Sequence, residues 1–159
     1  DELRVMWGAR QDIARVRLLG ASAIPPGGRG FAQLRLTGLA IAYAGQRAVL
    51  RRPSPAETLG GAVVLDPVAP VLRAKTLDAR LAVLAGAAKD DPDEIAAHLA
   101  RRDGGAVSVA ETARLSRRLA PEVRTRLAAT HAALDDDLMA PAAAVAQAER
   151  AYLGLLAHA

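Results

Sequence analysis

The apolar residues of this chain change their period once, and the change divides it. Before Asp66 the repeat is two. In residues 13–19, Ala14, Val16 and Leu18 alternate with Arg15 and Arg17; in residues 31–37, Leu34 and Leu36 alternate with Gln33 and Arg35. Successive side chains of a strand point to opposite faces, so each stretch reads as a half-buried strand. Residues 47–51 carry arginine at both ends, and residues 3–7 are also strand-like. Turn signals lie between: Pro25-Pro26-Gly27-Gly28, Ala44-Gly45-Gln46 and Pro53-Ser54-Pro55. Short strands with no helical pattern between them predict an antiparallel sandwich or barrel, and residues 1–70 suit a small closed barrel.

Two prolines in the run Asp66-Pro67-Val68-Ala69-Pro70 end this pattern. Beyond it Leu77, Leu81 and Leu84 form one helical stripe. Asp91, Pro92 and Glu94 read as cap, first residue and capping box of a second helix, which Gly104 and Gly105 end. A short extended piece follows. Ser108 with Glu111 forms another capping box, Pro121 opens a further helix, and residues 131–140 read as a hairpin with an acidic turn. Helix, strand, helix, helix, hairpin is the order of a winged helix, predicted with its linker helix over residues 71–140. Residues 141–159 read as a final helix, the start of a following helix or second winged helix. The chain opens without Met, directly in a strand, and its last helix stops abruptly, so it reads as a piece of a longer protein with an apolar helix face open to dimerisation.

Composition narrows the function. Apolar residues make up 52% and aromatics only 3%, so the core is built from Ala, Val and Leu. With no cysteine there is neither a disulfide framework nor a thiolate metal site. No run of about 18 uncharged apolar residues offers a membrane span, and a cytoplasmic location is expected. Residues 1–75 hold 11 Lys and Arg against 5 Asp and Glu, whereas residues 76–159 hold 10 against 12. The basic half is the candidate surface for a polyanion.

The candidate RNA-binding residues cluster late in that half. Arg47 and Arg51 point to one face of their strand and Arg52 to the other, and arginine grips phosphate through charge-assisted, often bidentate hydrogen bonds. Ser54, Thr58, Gly60 and Gly61 complete the set; the glycines also suit a β-bulge or barrel corner. Trp7, the single tryptophan, reads as core rather than as a platform for a base. In the second half Arg124 and Arg126 sit on the expected recognition helix, a weaker candidate pair, and Arg101, Arg102, Arg117 and Arg118 weaker still. Asp135–Asp137 read as a solvated turn and not as a metal site. His98, His131 and His158 are scattered, with no Ser or Asp at triad spacing. No GxxxxGK[ST] phosphate loop occurs. Neither a catalytic residue nor a metal ligand is expected.

The segments Ala14–Leu19, Pro26–Gly27, Gln33–Leu36, Gln46–Pro55 and Thr58–Pro67 together resemble the third domain of the selenocysteine-specific translation elongation factors. That domain is a β-barrel similar to the last barrel of elongation factor Tu. The resemblance spans roughly residues 3–67. It departs from the family pattern at Gln46, Ala48, Ala62 and Trp7-Gly8-Ala9. The later helices resemble, by pattern alone, the first winged helix of the family's C-terminal arm. The resemblance implies a parent that binds GTP with Mg²⁺ in a separate domain, carries selenocysteyl-tRNA to the ribosome and reaches an mRNA hairpin through its arm. For this chain it implies tRNA contact through the loop Pro53–Glu57 and no chemistry of its own. The rival expectation is a spacer that docks on a translational GTPase domain without touching RNA.

Overall fold

Each alternating stretch forms a strand. The computed structural model describes residues 2–156, with side chains described as far as residue 153. Strands β1 (Glu2–Trp7), β2 (Arg10–Leu19), β3 (Phe31–Leu36), β4 (Arg47–Arg52) and β5 (Glu57–Val63) build one antiparallel sheet. Their spatial order is β3-β2-β1-β4-β5. One face carries the core: Val5, Trp7, Ala14 and Ala48 are buried, with Leu34, Leu36, Ala40, Leu50, Ala62 and Val64 packed against them. Edge strands β3 and β5 thus feed one cluster, which requires the sheet to curl. Among the described residues no ladder joins β3 to β5. The sheet is therefore left unclosed by backbone pairing between its edge strands, where the sequence suggested a closed barrel. Trp7 belongs to this core, and its indole Nε1 donates to Asp12 Oδ2 at 2.9 Å.

The opposite face is covered only at the β2–β3 end. There Leu19, Leu72 and Leu84 form a second buried cluster with Phe31, Leu65, Leu77 and Leu81. A 3-10 turn, Ala74–Thr76, leads into helix α1 (Leu77–Lys89). The segment before it is tied down by side chains of the sheet: Arg17 Nη1 donates to Leu72 O at 3.1 Å, and Gln33 Nε2 to Pro70 O at 2.9 Å. Gly20 lets the helix come close. Its φ is +75°, and a Cβ there would lie 2.9 Å from Leu81 Cδ1. Under the segment, Arg80 Nη2 meets Asp66 Oδ2 at 2.5 Å with both side chains buried, and Asp66 Oδ1 accepts from Val68 N at 3.0 Å.

The leucine stripe of α1 therefore packs on the sheet. The chain divides into two compact units, Asp1–Leu84 and Ala85–Ala159. The division lies inside α1, later than the composition break at Asp66–Pro70, because Leu77, Leu81 and Leu84 need the apolar surface of Leu19 and Phe31.

The second unit contains α2 (Pro92–Arg102), β6 (Val107–Ser108), α3 (Val109–Ser116), α4 (Ala120–Leu127), β7 (His131–Ala133), β8 (Leu138–Pro141) and α5 (Ala142–Leu156). Its sheet is antiparallel with order β6-β8-β7. Ala96, Val107, Val109, Ala113, Val123, Leu127 and Met139 are buried together. The helix starts follow the caps. Asp91 accepts from the N–H groups of Asp93 and Glu94 at 3.0 and 3.3 Å, and Ser108 Oγ from Glu111 N at 3.0 Å. Both capping boxes are half made, because the glutamates turn to cations instead: Glu94 to Lys89 at 3.0 Å and Glu111 to Arg102 at 2.8 Å. Tyr152 and Leu153 on α5 are exposed. Residues 157–159, with His158, lie outside the described residues. No helix among the described residues is long and apolar enough to cross a membrane.

The buried Asp66–Arg80 pair supplies a stability test. Asp66→Ala leaves a buried guanidinium without its carboxylate and is expected to cost about 3–5 kcal/mol. Replacing both partners, Asp66→Leu with Arg80→Met, is expected to cost far less. Urea midpoints of the three chains decide; equal losses in both variants would contradict the pairing.

Candidate nucleic-acid interface

Strand alternation decides which side chains share the uncovered face. Val5, Ala14 and Ala48 point into the core, so their neighbours in sequence point out. The cross-strand register then lines up one row of Ile13, Arg4, Arg51 and Thr58, and another of Arg35, Arg15 and Glu2. Arg47 lies on the same face of β4, opposite Val63. Arg17 shares this face but is committed to Leu72. Glu2 is the single acid on the face among the described residues, and it pairs with Arg15 at 3.3 Å in solvent. The face is therefore a field of guanidinium groups.

The candidates from the sequence divide across it. Arg47 and Arg51 stand on the face, Arg47 exposed and Arg51 half-buried. Arg52 does not: it points the other way and pairs with Glu57 at 2.6 Å across the base of the 53–56 turn. Ser54 is exposed at the turn, and Thr58 lies directly opposite Arg51. Gly60 borders an irregularity on β5, while Gly61 pairs regularly with Val49. Leu50 pairs with Gly60 and Arg51 with Thr58, so Leu59 is the extra residue of a β-bulge, and Gly60 takes φ +156° to accommodate it. Gly60 thus has a structural part at this point, letting the bulge bring Thr58 into register with Arg51.

Residues 1–71 match the family described as selenocysteine-specific elongation factor, beta-barrel domain. The match takes in all five strands of the first sheet and less than half of the chain. No curated protein matches the chain. The matched region also carries basic residues on this face that the sequence did not single out. These are Arg4, Arg15 and Arg35. Arg15 and Arg35 occupy polar positions of alternating strands, which was the available signal. That they stand opposite each other, and that Arg4 stands opposite Arg51, depends on the strand order.

In the second unit most candidate arginines face an acid. Arg126 Nη2 lies 2.6 Å from Asp93 Oδ2, and this ion pair raises the arginine further above its ordinary value. Arg124 acts on Asp135. Arg102 is held between Asp103 and Glu111, and Arg101 meets His98 Nδ1 at 2.9 Å. Arg117 pairs with Asp90, while Arg118 is exposed. His131 Nδ1 meets Thr130 Oγ1 at 2.9 Å. The acidic turn is more than solvated decoration. Asp137 accepts from Ser108 Oγ at 2.6 Å and from Ala110 N at 2.8 Å, so the hairpin caps α3.

Asp135 gives a pH test. The N–H of Leu138, then that of Asp137, hold its carboxyl below the usual carboxylate range, and Arg124 adds to this. Because the folded value is the lower one, its stabilising effect is complete above about pH 3.9, the ordinary Asp value, and is lost as pH falls through the lowered value. The stability gap between the wild type and Asp135→Asn is expected to narrow below about pH 4. Chemical unfolding followed by circular dichroism at stepped pH measures it; a gap independent of pH would count against the assignment.

Proposed function

We propose that the first unit supplies part of the surface that holds selenocysteyl-tRNA, by gripping its sugar-phosphate backbone. The observation that carries this reading is the face itself: Arg4, Arg15, Arg35, Arg47 and Arg51 against Glu2 alone among the described residues. Phosphate contacts position a nucleic acid without reading its sequence, and arginine forks match phosphate oxygens two at a time. Ser54 and Thr58 offer hydroxyl donors beside the row. The second unit we read as a winged helix that begins an arm toward an mRNA hairpin on the ribosome; the order of α2, β6, α3, α4 and the β7–β8 hairpin in one small sheet supports this. Its arginines, most of them turned to acids, suit a spacer better than a grip. The reading assigns no catalysis to this chain. GTP, Mg²⁺ and hydrolysis belong to a separate domain of the parent, and the work is done in the cytoplasm.

A second reading, docking on a translational GTPase domain, is favoured by the β3–β4 connection. There Leu39 and Ile41 are 97% and 94% exposed, and Tyr43 is 66% exposed. Exposed apolar side chains grouped in this way mark contact surfaces for protein. The two readings differ in their response to salt, because phosphate contacts release counterions and apolar contacts do not.

Fluorescence-detected binding of selenocysteine tRNA to the chain, with an elongator tRNA as competitor, tests the first. With four phosphate contacts, affinity is expected to fall by about a hundredfold between about 50 and about 200 mM salt. Arg47→Glu with Arg51→Glu is expected to abolish most of the binding at low salt. Equal binding by wild type and this variant would overturn the tRNA reading and leave the docking surface in its place.

A further inference from the structure

We propose that Arg4 and Arg51 act as one clamp, holding a single backbone phosphate of the RNA between them. The inference rests on the reading of this face as a tRNA surface. It starts from an electrostatic oddity. The two residues are direct cross-strand partners on β1 and β4, near the middle of the sheet. Like charges placed directly opposite each other in an antiparallel pair destabilise the sheet. Both side chains are half-buried, and the Nε of each is shielded from solvent with no hydrogen-bond partner. Among the described residues neither makes an ion pair.

The unit does not lack acids. Asp12 is taken by Arg10, Glu2 by Arg15, Glu57 by Arg52 and Asp66 by Arg80. Each of these carboxylates neutralises a cation elsewhere, and none is placed at Arg4 and Arg51. Two guanidinium groups that have lost part of their hydration, with no protein acceptor in exchange, are poised for an external anion. Water competes less for a partly desolvated cation, and a charge-assisted hydrogen bond is stronger there. One phosphate placed between them removes the repulsion, because its oxygens accept from the terminal nitrogens of both forks. Thr58, in the same row beside Arg51, adds a hydroxyl donor at the edge of the site. A phosphodiester fits because the groups on offer are donors and positive charge only, in a shallow row that an extended backbone can cross. The arrangement gives up some stability of the free domain for affinity toward RNA.

The test uses the 159-residue chain with Arg4→Gln, Arg51→Gln and the double variant. Selenocysteine tRNA binding is measured across a salt series, and thermal melting is recorded at low salt. Each single variant is expected to weaken binding by about tenfold. The double variant is expected to be no weaker than about the worse single one, because one phosphate is lost in every case. The slope of log affinity against log salt is expected to fall by about one in all three. Melting temperatures are expected to hold or rise, since a like-charge pair has been relieved. If the double variant shows the product of the single losses and a slope lower by about two, the arginines hold separate phosphates and the clamp is overturned. If wild type binds tRNA and the three variants bind equally well, the clamp is again overturned, while the reading of the face survives on Arg15, Arg35 and Arg47. If wild type does not bind, that reading fails and takes the clamp with it. A fall in melting temperature in the single variants would mean that the arginines serve the fold.

Discussion

The register between β1 and β4 governs the first unit. Val5 pairs with Leu50 and turns inward, so Arg4 and Arg51, one residue away on each strand, turn outward together. Slippage by one residue would push a guanidinium into a core of Val, Ala and Leu and expose the apolar partners. The register is thus enforced by burial, and the charged face follows from it without any separate cause. The bulge at Leu59 belongs to the same constraint. It absorbs one residue of β5 so that the ladder can continue from Gly60 on one side and Thr58 on the other.

The low aromatic content leaves this core with little volume per residue. Trp7 is the large exception, and its placement shows how a polar handle is accommodated: the ring is buried while its N–H reaches Asp12, which Arg10 also binds. The second cluster enlarges the apolar interior by borrowing α1. That segment crosses the outer face and would otherwise carry a solvent-facing leucine stripe. The buried Asp66–Arg80 pair holds the crossing in place at an electrostatic cost, because ions in low dielectric repay their lost hydration only with good geometry. Ion pairing here supplies direction more than stability, and the leucines supply the burial.

The two units treat their arginines differently, and the contrast bears on function. In the second unit cations meet acids: Arg126 with Asp93, Arg102 with Asp103 and Glu111, Arg117 with Asp90. In the first, Arg4, Arg35, Arg47 and Arg51 stand without carboxylates on one face of the sheet that matches the selenocysteine-specific elongation factor beta-barrel family. A net positive count alone would not separate these cases, since a paired arginine contributes little to the field that a polyanion meets.

Local rules were enough to read most of the elements. Alternation of Ala14, Val16 and Leu18 with arginines produced β2, the caps at Asp91 and Ser108 started α2 and α3, and the glycines after Arg102 ended a helix, because each depends on neighbours within a few residues. Arg47 and Arg51 could be placed on one face for the same reason. Which strands lie side by side could not be read, since β1 pairs with β4 across the whole of β2 and β3, and short-range periodicity carries no record of such pairing. The meeting of Arg4 with Arg51, the loss of Arg52 to Glu57, the use of Asp137 as a cap for a distant helix and the capture of the α1 leucines by the sheet all follow from that long-range order. The amino-acid pattern set the period, the breaks and the sign of each surface. Packing chose the partners, because burial energy depends on which faces meet, and that is a property of the folded chain alone.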